Sequence, residues 1–439
     1  MPRSSSAPAS LRALTARGGA LNAVLLWLAA ALISGFTMRR YLEPFDEGFL
    51  LQAATRIAAG QWPYADFGWP YGPGQAGVVA LAFKVLGPSV VWWRVVRVAA
   101  DATIALLVFA LVRRPAGDRW ALAGWFAAAV TIAQPTSANP FPVALSFALG
   151  AVLAAARNRP VAAGVLGALT AAWRPDLGLI ALIAALAATV GRGGGAPMGG
   201  RATRRGAGGR ATARPPMRVA PAGGRATGRP PMRVLAAWLG GVVVLYGPFV
   251  AAAGPGRVYD ELVGRAAGEG AWWRLPFPLA YDGPLRAWPP RDLASDLKDA
   301  LGYELPLIAV AGALVVLALV VVHRSWGPEL RGLLVLAAGC GAYLITRPDE
   351  LHVQPLVVCL CALIPIAAAA APRAPLAKAG TVVLALIALA GLANRVSALV
   401  LPPDLQPVTL AGVPGIDVPP AEARALRPLA ARVDRLVPR

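Results

Sequence analysis

Asp46 and Glu47 are neighbouring acids in a stretch otherwise thick with apolar and aromatic residues, PFDEGFLLQAATRIAAGQWPYADFGWPYGPG from Pro44 to Gly74. Adjacent residues on a helix point about 100° apart, so one of the two acids faces a reacting centre. Asp46 is the favoured one, with Glu47 a second acid or the partner of an arginine. A carboxylate sheltered by aromatic rings gains the basicity to take a proton from a hydroxyl. The plainer reading is a helix cap beside a solvated carboxylate. Three other side chains suit the complementary task of holding a phosphate. Arg174 ends a short apolar helix in Trp173-Arg174-Pro175-Asp176, and Arg347 and His352 lie in the turn TRPDELHVQP. An arginine at membrane depth needs an anionic partner, and its planar fork fits phosphate. A local pair with Asp176 explains Arg174 equally well. In the turn, Asp349 or Glu350 would orient Arg347 and His352, or the segment simply caps the next helix. His323, beside Arg324, has no role on this reading.

These residues need elements to hold them. Asp46 is placed to cap a short surface helix with Phe49, Leu50, Ala53, Ala54 and Ile57 on its apolar side, ended by Gly60. Trp62, Tyr64, Trp69 and Tyr71, and later Trp272, Trp273 and Trp288, form two aromatic clusters. Interfacial belts account for most such residues, and stacking on sugar faces is the minority role. Asp66, Tyr71, Trp69 and Trp272 are the candidate acceptor or sugar contacts.

The chain has 439 residues, 57% hydrophobic and 15% charged, against about 25% charged for a soluble globule. Mean hydropathy is +0.58. The expected fold is therefore all-α, a polytopic transmembrane bundle of about eleven spans with outer-face interfacial helices, counting apolar runs by length. The net charge of +20 is mostly loop arginine, which sets orientation or meets anionic lipid and is not read as nucleic-acid binding. Cys340, Cys359 and Cys361 lie in apolar segments and read as buried structural thiols.

Short basic loops on one side give the domain plan. Residues 1–19 are a cytoplasmic tail before an uncleaved first span. Residues 20–190 form an N-terminal transmembrane module with an outer loop at 39–75, where 75–87 is interfacial or re-entrant. Residues 191–234 are a basic Arg/Gly/Pro insertion in which GRATARPPMRV recurs as GRATGRPPMRV. Its composition argues for disorder, as a tolerated expansion or a tether to inner-leaflet lipid. Residues 235–400 form a second module with an outer loop at 254–302, and 401–439 are a short outer tail.

One span, an outer loop with a DE pair, a surface helix and a WPYxDFxWPYGPG segment together resemble the GT-C glycosyltransferases, in the lipid-linked-sugar branch that includes aminoarabinose and protein O-mannosyl transferases. Trp173-Arg174-Pro175 and the late turn with Arg347 and His352 extend the resemblance over roughly residues 20–400. It implies a polyprenyl-phosphate sugar donor, Asp46 as catalytic base beside Glu47, and Arg174, Arg347 and His352 near the donor phosphate. The acceptor would be a glycan, lipid or protein, and the enzyme would sit in the plasma (inner) membrane with its site on the extracytoplasmic face. No cofactor is required, although two adjacent acids could hold Mg²⁺ or Mn²⁺. The insertion at 191–234 and the short tail depart from the family pattern, so acceptor recognition would fall to the outer loops. A transporter or flippase for a lipid-linked or anionic solute is the alternative, as is a catalytically dead assembly subunit. The chain lacks the matched halves that many transporters show.

Overall fold

The computed structural model describes residues 9–190, 230–265, 267–268, 274–323, 327–371, 375–400, 404–408, 410 and 413–436. Helices α1 (Ala9–Gly35), α2 (Asp46–Ala58), α3 (Pro73–Leu86), α4 (Val90–Ala116), α5 (Asp118–Ile132), α6 (Phe141–Ala156), α7 (Pro160–Trp173) and α8 (Pro175–Thr189) make the first half. The second half holds α9 (Pro230–Ala253), α10 (Pro255–Tyr259), α11 (Pro290–Tyr303), α12 (Leu305–His323), α13 (Pro328–Gly341), α14 (Glu350–Ala370), α15 (Pro375–Val400) and α16 (Pro420–Leu436).

Local sequence sets the boundaries. α3, α6, α7 and α8 each carry proline in the first turn, where a missing N–H costs nothing. Ser89 caps α4 by accepting from Val91 N at 3.2 Å, and Gly117 ends that helix with φ +85°. Asp349 caps α14, accepting from Leu351 N and His352 N at 3.0 and 2.9 Å.

α14 is the axis of the bundle, packed by α4, α5, α12, α13 and α15 and buried along nearly its whole length. A second group, α6 to α9, joins it through contacts of α6 with α4 and of α8 with α13. α7 and α9 lie so close that a Cβ on Gly164 would collide with Val234 O, which only glycine avoids. The outward faces carry leucine and valine, among them Leu25, Leu32, Leu81, Val243, Val244 and Leu314. Among the described residues six helices, α4, α9 and α12 to α15 with the turn after α13 included, are long and apolar enough to cross a membrane. Five shorter apolar helices accompany them, so this is a multi-pass membrane bundle, and by length six of the roughly eleven expected spans qualify outright. α3 has 14 residues and is too short to span a bilayer alone. Cys340, Cys359 and Cys361 are all buried.

Three boundaries differ from the sequence reading. The all-α bundle stands, and the tail adds a small hairpin of β1 (Gln406–Val408) and β2 (Ile416–Val418), followed by amphipathic α16. Strands this short carry no readable alternation. Residues 230–234 belong to α9, while 191–229, the rest of the expected disordered insertion, lie outside the described residues. The segment 254–302, expected as an outer loop, holds α10, a π-helical turn at Asp260–Gly264 and the strongly amphipathic α11.

The tail also completes the base of the loop between α1 and α2. Tyr41 N donates to Asp417 O at 2.8 Å and Asp417 N to Arg39 O at 2.9 Å. Val408, Ile416, Val418 and Ala423 bury against Val90, with Leu42 and Leu51 packed beside them.

Candidate functional site

α2 starts at Asp46, but Asp46 does not cap it. Glu43 does: its carboxylate accepts from Asp46 N at 2.6 Å and Glu47 N at 3.3 Å, while Glu43 N donates back to Glu47 Oε2 at 3.1 Å. This is a reciprocal box one turn earlier than expected, and it leaves the Asp46 carboxylate out of the capping. The helix ends as its sequence predicts, with Gly60 at φ +93°.

The two adjacent acids have separate fates. Glu47 is buried, and both of its oxygens are held by Arg94, from Nε at 2.8 Å and Nη2 at 2.6 Å. Arg94 also donates to the carbonyls of Met38 and Tyr41 at 2.8 and 2.7 Å, and so staples α4 to the chain entering α2. Of the two expected roles, Glu47 therefore takes that of arginine partner, which corrects its assignment as a second catalytic acid. It also means that the DE pair does not offer two carboxylates to one cation. Among the described residues no group of three or more His, Cys, Asp or Glu side chains gathers around a metal-sized space.

Asp46 is exposed. Partial removal from water, with Glu43 beside it, pushes its carboxyl above the ordinary aspartate range, and Arg347 and His352 are near enough to pull it back. The acid at the start of α2 and the late turn thus share one electrostatic neighbourhood.

That turn is internally organised. His352 Nδ1 lies 2.8 and 2.9 Å from the two oxygens of Asp349, and Arg347 Nε is 3.8 Å from Asp349 Oδ2. Burial alone would raise Asp349, but the His352 hydrogen bonds and the nearby charges outweigh it and hold this carboxyl below the usual range. With Nδ1 facing Asp349, Nε2 is the nitrogen that remains for any further contact. Asp349 thus caps α14 and orients His352 at once.

Arg174, at the α7–α8 junction, makes the expected local pair: Nε to Asp176 Oδ1 at 3.1 Å and Nη2 to Asp176 Oδ2 at 2.7 Å. The guanidinium is also walled by aromatic rings, 4.1 Å from the centroid of Phe141, 5.5 Å from Tyr343 and 5.7 Å from Tyr71. Tyr343 is the link to the late turn. Its hydroxyl donates to Asp176 and lies 3.3 Å from Arg174 Nη2, and its carbonyl accepts from Arg347 N at 2.9 Å.

Tyr71 reaches Arg174 because the WPYGPG loop is pressed onto the end of α7. Gly72 N donates to Trp173 O at 3.2 Å, and a Cβ on Gly72 would collide with Ala172 O. Within the loop, Trp62 N and Asp66 close a turn on each other, Tyr64 Oη donates to Tyr71 O at 2.6 Å, and Trp69 Nε1 donates to Gly72 O at 3.0 Å. Tyr64 holds φ +68°, a conformation bulky residues avoid, and is fully buried against Phe249.

These bonds revise the list of sugar contacts. Trp69 is 1% exposed and stacked on Phe49 at 5.0 Å, so its faces are closed to any sugar. Asp66 spends its carboxylate on the turn at Trp62 N, 2.7 Å away. Tyr71 alone of the three borders the arginine cluster. Trp272, like Trp273, lies outside the described residues, and Trp288 is exposed.

Four participants were not singled out from sequence: Glu43, Arg94, Phe141 and Tyr343. Arg94, with Arg97 and Asp101, could have been flagged as charges inside the apolar run at 90–112, where an unpaired charge is untenable. Arg97 Nε meets Asp101 Oδ1 at 3.0 Å, Ser34 Oγ donates to Asp101 Oδ2 at 2.7 Å, and Arg97 Nη1 donates to Ser137 O at 3.0 Å. This second buried pair ties α1 and α4 to the loop before α6.

No protein-family profile matches the chain, and neither does any curated protein. Among solved structures, the crystal structure of ArnT from Cupriavidus metallidurans bound to undecaprenyl phosphate is similar over 95% of this chain and 80% of that one, with 14% sequence identity and a TM-score of 0.48.

Proposed function

We propose that the protein is an inverting glycosyltransferase that moves a hexosyl or pentosyl group from a polyprenyl-phosphate donor to an acceptor hydroxyl, at the outer face of the plasma membrane. The observation that carries this reading is that Arg347 and His352, from the opposite end of the chain, act electrostatically on the exposed Asp46 carboxylate. Asp46 takes the proton of the acceptor hydroxyl as its oxygen attacks the anomeric carbon. The bond from that carbon to the phosphate oxygen breaks on the far side, and the lipid phosphate leaves with the electron pair. Arg347 and His352 stabilise the charge it acquires, with Arg174 contributing from its aromatic wall. An elevated Asp46 pKa favours this role, since a stronger base accepts the proton further along its transfer. The chemistry as written calls on no metal. The outward placement rests on the basic short loops facing the other way, with about eleven spans.

The test is transfer by purified protein supplied with labelled polyprenyl-phosphate sugars, read as free lipid phosphate. Asp46→Asn should cost about 10²–10⁴-fold in rate while the unfolding temperature stays put. Normal transfer by that variant removes the base assignment.

A further inference from the structure

On the other side of α14 from Asp349 and His352 lies a polar chamber of about 400 Å³, walled by α11, the end of α5 and its following loop, α14 and α15. Glu350 and Gln354 are four residues apart and share the helix face toward the chamber. Asp349 and His352 share a face roughly 150° away by helical geometry. The phosphate-facing cations and this chamber are thus two compartments separated by one helix.

The chamber's chemistry is the inverse of the cationic cluster's. Its polar walls are Gln134, Glu350, Gln354 and Asn394, with Tyr281 and Tyr303 in the lining from the outer segment. The two tyrosine rings lie 5.8 Å apart and inclined at 59°, and Tyr303 is 44% exposed. Its one ammonium, Lys298, is matched by Asp299 at 3.1 Å, so Glu350 leaves the lining with an excess of negative charge. Gln134 is half-buried in the lining, where the accessible part of its carboxamide borders the chamber.

We propose that this chamber binds a neutral saccharide. Carboxamides and a carboxylate present paired donors and acceptors to vicinal hydroxyls, tyrosine rings offer faces for the apolar side of a pyranose or furanose ring, and the volume falls within the range of small-molecule sites. Surplus acid disfavours anionic sugars, which the Arg174 and Arg347 side would attract instead. The site is separate from the donor-phosphate residues and does not depend on Asp46 acting as a base.

The test is ligand-observed NMR and calorimetry on the full chain in nanodiscs, with methyl glycosides of glucose, galactose, mannose and arabinose and with glucuronate as the anionic control. At least one neutral glycoside should saturate with a Kd of about 1–10 mM, more tightly than glucuronate. Gln134→Leu and Glu350→Gln should each weaken it by about tenfold, and Arg174→Gln should leave it unchanged. Should either wall variant lose its fold, Tyr303→Ala on the exposed rim reads the same contact. Absence of any neutral glycoside binding, glucuronate binding tighter, or affinity indifferent to the wall substitutions would each overturn the proposal.

Discussion

Arg94 and Arg97 on α4 and Arg174 and Arg347 at helix junctions are the same residue type in different settings. The first two are at most 1% exposed, each faces one carboxylate, and their remaining donors go to backbone carbonyls of other segments. Arg174 and Arg347 keep 17% and 39% of their side-chain surface exposed, pair with acids two residues away, and are joined through Tyr343. Buried arginines that satisfy a backbone hold a shape. Half-open arginines with short-range partners can exchange those partners for an incoming anion.

Substitution should separate the two pairs. Arg94→Met leaves the Glu47 carboxylate buried and unpaired, which costs about 3–5 kcal/mol of stability, measured by denaturant or thermal unfolding. Adding Glu47→Leu to it should restore most of that loss, because the charge left behind is the source of the penalty. Full stability in the single variant would place Arg94 with the open arginines. Arg174→Gln should invert the pattern, with about 10²–10³-fold slower sugar transfer at an unaltered unfolding midpoint. A large loss of stability there would make Arg174 a structural partner of Asp176.

Smaller effects sharpen the contrast. Asp66→Ala removes the turn bond to Trp62 N and should cost about 1 kcal/mol of stability, with only a modest change in transfer rate. Transfer should rise with pH as Asp46 ionises, with a midpoint above the about 3.9 of an unperturbed aspartate. A midpoint at or below that value would mean that the neighbouring Arg347 and His352 outweigh the loss of water around Asp46. Asp349 is depressed, so its bonds to His352 add stability above the unfolded aspartate pKa of about 3.9, lost as pH falls through the lower folded value. Asp349→Asn should flatten that acid limb.

Much of this is legible in the residues. The short helix from Asp46 to Gly60, the Arg174–Pro175 junction and the cap before α14 follow from proline, glycine and acid placement, which act over one turn. The fate of Glu47 is open in the sequence because its partner, Arg94, lies far along the chain and looks, in a sliding average, like noise in an apolar span. The cap passes to Glu43 because a longer side chain can reach back across a turn from before the helix. Trp69 misleads since a tryptophan at a membrane edge and one stacked inside a loop have the same local sequence. The chamber beside Glu350 draws on four distant segments, and nothing in any one of them announces it.

The hairpin at 406–418 carries an implication for biogenesis. Backbone bonds between Asp417 and the segment Arg39–Tyr41 bind the root of the first loop to residues translated long after it. Cotranslational insertion would thus deliver Asp46 to its side of the membrane long before its support exists. Competence would come as a late event, and a truncation just ahead of Gln406 would leave a fully inserted protein whose earliest loop had never been fastened.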